Sequence, residues 1–275
     1  MSNTAAMTLG DIEITVLTDG ASVFGPEMFP DTSAAHTQAV VEKAGETAIR
    51  TNFNANLIRS GGRTVLVDSG AGSLMGPKCG HMPEALAEAG ASTSDIDIFY
   101  ATHLHPDHVG GALDAEGRLA FPNARLLVQR AEADFWRGAI PQASETVLGW
   151  QKLAQAVLSA YADQLELIDG EAEIAPGMTS LPLPGHTPGH AGYRLSSGNE
   201  QLLHVGDIVH APFVQVSDPE IAIIFDQDRD IARATRKRLL DELATDRLPI
   251  TGGHLLAPAF ARVERNGNGY RLLQV

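Results

Sequence analysis

The stretch Thr102-His103-Leu104-His105-Pro106-Asp107-His108-Val109-Gly110-Gly111 decides how the rest of this chain is read. Three imidazoles and one carboxylate fall within the six residues from His103 to His108. Neutral imidazole and carboxylate are the usual nitrogen and oxygen ligands of zinc and its neighbours. The cluster follows a short apolar run, Ile96–Ala101, expected to be a buried strand. Ligands gathered in a loop just beyond a strand end are the usual arrangement of a site on an open sheet. The stretch therefore points to a metal-centred enzyme.

Composition limits what surrounds this loop. The chain has 275 residues, 44% of them hydrophobic, enough for one sizeable core. No linker-like tract or solenoid-period repeat divides it, so one domain over residues 1–275 is expected. The formal charge is −14, from 34 acidic and 20 basic residues, which disfavours nucleic acid as a partner. Cys79 is the single cysteine, so no internal disulfide forms and nothing implies an oxidising compartment. The first residues lack an export-signal pattern, and no apolar run approaches the ~20 residues of a membrane span. The expectation is a soluble, cytoplasmic protein without a membrane partner; a homodimer is compatible with it.

Periodicity outlines the framework. Ile12–Thr18 alternates as a strand, and 55–59 with 64–67 reads as a hairpin across Gly61-Gly62, ending at Asp68-Ser69-Gly70. Residues 83–89 read as a helix closed by Gly90. Further strands are expected at 126–129, 165–168, 178–183, 193–195 and 201–205, with a terminal hairpin over 260–264 and 270–274. Helical spacing marks 131–137, 144–161 and 230–244, the last with charged residues on one face. Two stacked sheets with helices outside fit this order better than a run of βαβ units.

Three more strand ends carry ligand-capable side chains beside small residues. They are Gly185-His186-Thr187-Pro188-Gly189-His190, then Gly206-Asp207, then Gly252-Gly253-His254. A His-x-His-x-Asp-His motif followed in order by a distant His, Asp and His resembles the metallo-β-lactamase superfamily. The resemblance runs from about Asn56 to His254. It implies an α+β fold, an αββα sandwich, with two divalent metal ions at one edge. Zinc leads among these, with manganese, cobalt or iron as alternatives. By position, His103, His105 and His186 would hold one ion, Asp107, His108 and His254 the other, and Asp207 would bridge them. Asp68 and His190 would orient this loop system rather than bind metal.

Within the superfamily the chain resembles the branch of methyl parathion hydrolase and related lactonases. The residues that carry this are Leu9–Gly20, Thr102–Gly111, Gly206-Asp207-Ile208-Val209-His210, Val214–Pro219 and Asn266–Arg271. The resemblance implies hydrolysis of lactones or of aryl and alkyl esters, with promiscuous phosphotriesterase activity, through a metal-bridging hydroxide. Asp107 would orient that nucleophile and carry its proton. His210 stands where many acyl-homoserine lactonases have a tyrosine, so that tyrosine's hydrogen bond to the substrate carbonyl does not carry over; His210 would either contact substrate or only support the metal ligands. Phe24, Phe29, Phe53, Trp136, Trp150 and Phe213 are the candidate pocket aromatics. The alternatives are a thioesterase like glyoxalase II and a mononuclear iron dioxygenase of the same fold. β-Lactam hydrolysis is disfavoured, because Cys79 matches no ligand position and Asp207 is present.

Overall fold

Two seven-stranded sheets face each other in the computed structural model, which describes residues 3–275. The first runs in chain order through β1 (Thr4–Leu9), β2 (Ile12–Phe24), β3 (Ile49–Ser60), β4 (Arg63–Val67), β5 (Ile98–Tyr100), β6 (Arg125–Gln129) and β7 (Leu165–Ile168). Strands β1 to β4 pair antiparallel, and β4 to β7 pair parallel. The second sheet comprises β8 (Glu173–Ala175), β9 (Met178–Pro182), β10 (Ala191–Ser197), β11 (Glu200–His204), β12 (Pro249–Thr251), β13 (Ala261–Asn266) and β14 (Gly269–Gln274). It is antiparallel except for β11 beside β12.

Burial follows the strand alternation. Ile12, Ile14 and Val16 of β2 point between the sheets, where they meet Val65, Val67, Leu127, Leu195 and Leu203. Leu17, Leu57, Leu66 and Leu126 point outward, under a helical layer. That layer contains α2 (Met82–Glu88), α4 (Arg130–Arg137) and α5 (Glu145–Ala160). On the far side, α6 (Arg229–Asp246) lays Leu239, Leu240 and Leu243 against the second sheet. The central parallel strands are apolar on both faces, as covered strands must be. This is the αββα sandwich that the ligand pattern implied.

Most expected elements are present with shifted ends, but several lie outside the reading of periodicity. Helix α1 (Ala34–Lys43) starts at Ser33, whose side chain caps His36 N, and forms a small separate core with Phe29, Ile49 and Val214. The one-turn α3 (Pro106–Val109) falls inside the metal loop itself. Strand β2 continues six residues past Thr18, through a bulge between Thr18 and Gly20. At that bulge the fully buried Asp19 accepts from the backbone amides of Ala71, Gly80 and Met82. It thereby anchors both ends of the loop between β4 and α2. Arg236 departs from the exposed charged face expected for α6. It is completely buried, and its guanidinium donates to the carbonyls of Ile208, Pro219 and Ile221. Among the described residues, no helix is long and apolar enough to cross a membrane.

One polar row sits inside the sandwich. His204 and Tyr193 are cross-strand partners, stacked with ring centroids 4.8 Å apart. The Gly206 amide donates to His204 Nδ1, and burial drives the imidazole down to about 3. A histidine depressed in this way is neutral when folded, while the unfolded chain takes up a proton below about pH 6.5. Its contribution is therefore whole above pH 6.5 and is lost as the pH falls toward 3. Between pH 7 and pH 5 the expected loss from this one group is about 2 kcal/mol, and His204→Gln removes that part of the slope. Urea midpoints of both proteins at the two pH values measure it; parallel pH slopes would contradict the assignment.

Candidate metal centre

Every candidate ligand leaves the end of a strand at one edge of the sandwich. Asp68 follows β4, and Thr102 to His108 follow β5. His186 lies in the turn from β9 to β10, Asp207 follows β11, and His254 follows β12. Backbone geometry brings these loops together. Asp68 adopts φ +60°, a left-handed conformation costly for a side chain. Its Oδ1 accepts from Thr102 N at 2.9 Å, and its Oδ2 accepts from His108 Nδ1 at 2.7 Å. Gly206, at φ +51°, has no room for a Cβ, which would lie 2.3 Å from His190 Nε2. His190 Nδ1 donates to Leu183 O, and its Nε2 accepts from Asp207 N at 2.9 Å. Both its nitrogens are thus occupied in fixing the Asp207 turn, and burial lowers it to about 4.

Two groups draw together most of the remaining donors, His103–His105–His186 and Asp107–His108–Asp207–His254, each with ligand atoms within 4.8 Å of one another, and Asp207 also meets His103 with His190 and His186 with His210 within that distance. Hydrogen bonds on the far nitrogens assign the tautomers. His186 Nδ1 donates to Asp226 Oδ1 at 3.0 Å. Thr102 Oγ1 donates to Asp68, so His103 Nδ1 donates to Thr102 Oγ1 at 3.1 Å. The Nε2 atoms of His103 and His186 are therefore bare lone pairs. Both face His105 Nδ1, at 3.0 and 2.9 Å. A single proton on His105 cannot serve both at full strength, whereas a cation among the three nitrogens serves all. Burial, with neighbouring imidazoles, holds His103, His105 and His186 well below the usual histidine value, in the neutral form that binds metal.

The second group has the same logic with carboxylates. His108 Nδ1 is committed to Asp68 and His254 Nδ1 to Asn52 O, leaving both Nε2 atoms turned on Asp207 Oδ2, at 3.1 and 2.9 Å. Lone pair against carboxylate is repulsive unless a proton or a metal intervenes. Burial opposes the charged form of both rings, but the carboxylates of Asp207 and Asp107 overcome it and raise both. Asp207 is held well below the carboxylate range by His108 and His254 despite its burial. Its Oδ2 also lies 3.7 Å from His103 Nε2 and 3.6 Å from His186 Nε2, so it stands between the groups. Its Oδ1 is buried without a partner. The donor set fits two divalent cations sharing Asp207.

A cavity of about 420 Å³ opens onto these groups. Asp107, 17% exposed, His105, His186, Asp207, His210 and His254 form its polar floor. His210 stacks on His254 with centroids 4.6 Å apart and places Nε2 3.2 Å from Asp207 Oδ2. The walls are apolar: Phe24, Phe53, Trp150, Leu153 and Phe225, with Leu74 and Met75 from the loop that Asp19 anchors. No lysine or arginine lines it.

Three of the expected pocket aromatics are elsewhere. Phe29 is sealed in the small core with Val41 and Ile49. Trp136 is fully buried behind His105, with centroids 5.6 Å apart, and does not reach the cavity. Phe213 lies on the short π-turn Pro212–Val216, outside the lining. Leu74, Met75 and Phe225 were missed because loop residues carry no periodicity, and Leu153 because an apolar position on helix α5 reads as core. Glu132, Asp226 and Arg236 were also missed. Glu132 carried only the signal of a charge between alanines, while Asp226 and Arg236 were hidden in the charged runs Asp226–Asp230 and Arg236–Arg238.

Comparison with known proteins accords with this geometry. Residues 51–254 match the family model of the metallo-beta-lactamase superfamily, and the chain belongs to that superfamily. The structure is similar to that of AidC, a dizinc quorum-quenching lactonase solved with a product, at TM-score 0.94 and 28% identity, covering 100% of this chain and 98% of that one. It is also similar to the hydrolase AbOPH, at TM-score 0.90 and 29% identity, again covering 100% and 98%. A probable metallo-hydrolase of Mycobacterium tuberculosis is 32% identical over 137 residues, 44% of this chain and 40% of the relative. The match thus spans about two fifths of that curated relative's length.

Asp226 is expected to matter through His186. Asp226→Asn keeps the volume but weakens the acceptor for His186 Nδ1–H. Orienting partners of this kind are worth about 10–100-fold in metal affinity. Competition titration with a chelator measures it, and unchanged affinity would show that the Asp226 contact does not set the ring.

Proposed function

We propose that this protein is a binuclear metal-dependent hydrolase that opens lactones or cleaves aryl and alkyl esters. The observation that carries the reading is the convergence of imidazole lone pairs and the Asp207 carboxylate on two points at the floor of an apolar cavity. The likeness to a dizinc lactonase supports it. His103, His105 and His186 would hold the first ion, and Asp107, His108 and His254 the second, with Asp207 shared; zinc is the leading candidate. When bound, such ions supply Lewis acidity toward a carbonyl oxygen and bring a water's pKa near neutrality.

The chain's own groups do the rest. Asp107 alone among the ligand candidates combines a floor position with appreciable exposure, so it orients the attacking water and takes up its proton. His210, held neutral by burial against the pull of Asp207, lines the floor and contacts the reacting carbonyl or the departing oxygen. Phe53, Trp150 and Phe225 bind an uncharged apolar body and exclude water. The absence of wall cations disfavours substrates that must be anchored by a carboxylate. Glutathione thioesters and β-lactams fall in that group, whereas neutral lactones, aryl esters and phosphotriesters do not.

Two measurements test this. Metal analysis is expected to give two equivalents per chain, and His103→Ala or Asp207→Ala to lose metal together with at least about 10³-fold in kcat. On a panel of γ- and δ-lactones, aryl esters, a paraoxon-like triester, S-lactoylglutathione and a cephalosporin, lactones and aryl esters are expected to give the highest kcat/KM. Turnover of the thioester alone would overturn the substrate reading. Iron with oxygen consumption would replace hydrolysis by oxygenase chemistry.

A further inference from the structure

One buried carboxylate joins the two loops of the first metal group without belonging to it. Glu132 sits in the first turn of α4 and is completely buried. Its Oε1 accepts from Leu104 N at 2.9 Å and from Trp136 Nε1 at 2.6 Å. Its Oε2 accepts from Thr187 Oγ1 at 2.5 Å and from Gly189 N at 3.2 Å. Leu104 lies between His103 and His105, while Thr187 and Gly189 follow His186. The two loops are 81 residues apart in sequence, from His105 to His186, yet one carboxylate grips both. Gly189 packs so tightly on α4 that a Cβ there would lie 2.1 Å from Glu132 N.

The chemistry of the four partners matters. Every one donates, so they match the acceptor-only inventory of an ionised carboxylate. A glutamine in the same place offers one acceptor oxygen and presents an NH₂ to the other two donors, whichever way it is turned. The site thus reads a carboxylate specifically, not merely a side chain of that size. Helix α4 also carries Trp136, one turn on, whose ring packs on the His105 ring, so the same helix fixes both the backbone and the ring plane of one ligand candidate.

We propose that Glu132 is a positioning residue that sets the spacing of His103 and His105 against His186, and so the affinity and geometry of the first metal site. This rests on the binuclear reading above. By contrast, His108 and His254 take their orientation from Asp68 and Asn52, which Glu132 does not touch. The tie is therefore selective for one site of the pair, which a general packing role would not be.

The test compares wild type, Glu132→Gln, Thr187→Val and Trp136→Phe, each titrated with zinc against a chelator and with cobalt(II) followed by its visible absorption. Glu132→Gln is expected to weaken one of two equivalents by about 10–100-fold, with an altered cobalt spectrum for that ion only. Its kcat on the best ester or lactone falls with that loss while KM stays near wild type. Thr187→Val, which removes one donor, shifts the same equivalent by less, and serves if Glu132→Gln fails to fold. Trp136→Phe keeps both loop ties but removes the indole donor to Glu132 Oε1 and shrinks the ring against His105, so it weakens the same equivalent by less than Glu132→Gln and leaves the other at its wild-type affinity. Unchanged affinities and spectra in Glu132→Gln would overturn the proposal, as would equal weakening of both equivalents alongside a fallen urea midpoint. Wild type that binds two ions isolates such a failure to Glu132; wild type that binds fewer refutes the binuclear reading together with the site the tie sets.

Discussion

The Asp207 carboxylate is the constraint around which this edge of the molecule is arranged. Its Oδ2 lies between 2.9 and 3.7 Å from Nε2 of His108, His254, His210, His186 and His103. Such crowding around one buried anion is tolerable only with positive charge in the gaps. The carboxylates of Asp207 and Asp107 raise both His108 and His254 against the cost of burial, which favours their protonated forms. With metal, two divalent ions replace those protons, so loading releases protons and becomes stronger as the pH rises. The supporting network points the same way. Far-side nitrogens of His103, His108, His186 and His254 donate to Thr102, Asp68, Asp226 and Asn52, turning the near-side nitrogens toward the gaps.

Holding bare lone pairs this close demands rigid loops, and the fold supplies rigidity by spanning its own layers. Asn54 of β3 reaches from the first sheet to the carbonyls of Gly252 and Leu255 beside His254. Arg236 reaches from α6 to Ile208 O beside Asp207, and pairs with Asp226, which holds His186. Asp19 fixes the loop whose tip forms one cavity wall. Each of these side chains is buried, and each satisfies backbone groups of an irregular segment that the sheets leave unpaired. Buried charges that are fully hydrogen-bonded restrict a site to one geometry, because any displacement leaves a group unpaired in low dielectric.

This division explains what the sequence could convey. Strands such as 165–168 and helices such as α5 were legible because burial imposes a period on consecutive residues. The candidate ligand set was legible because four of its members crowd into His103–His108 and the other three follow glycines at strand ends, in a fixed order. Glu132, Asp226 and Arg236 have neither property. Their partners lie as far as 57 residues away, as for Glu132 and Gly189, and one charged residue on a helix has the same appearance whether it faces water or a loop. The cavity wall was half legible for a related reason. Phe24, Phe53 and Trp150 stood out by size, but so did Phe29, Trp136 and Phe213, and only the packing of α1, α4 and the π-turn separates wall from core.

On the proposed reading, specificity would follow from the apolar composition of the walls. The chain carries a formal charge of −14, and the cavity floor holds Asp107 and Asp207. Two divalent ions would bring four positive charges to a floor with two carboxylates, leaving a local excess of two at the reacting centre alone. An anionic substrate would be drawn there by its charged group, and with no wall cation to hold that group elsewhere it would compete with the scissile carbonyl for the metals. On the proposed reading, a neutral lactone or ester would present only its carbonyl, while its apolar body would lie against Phe53, Trp150 and Phe225. On that reading, uncharged walls around a charged floor would select the substrate by orientation as much as by affinity.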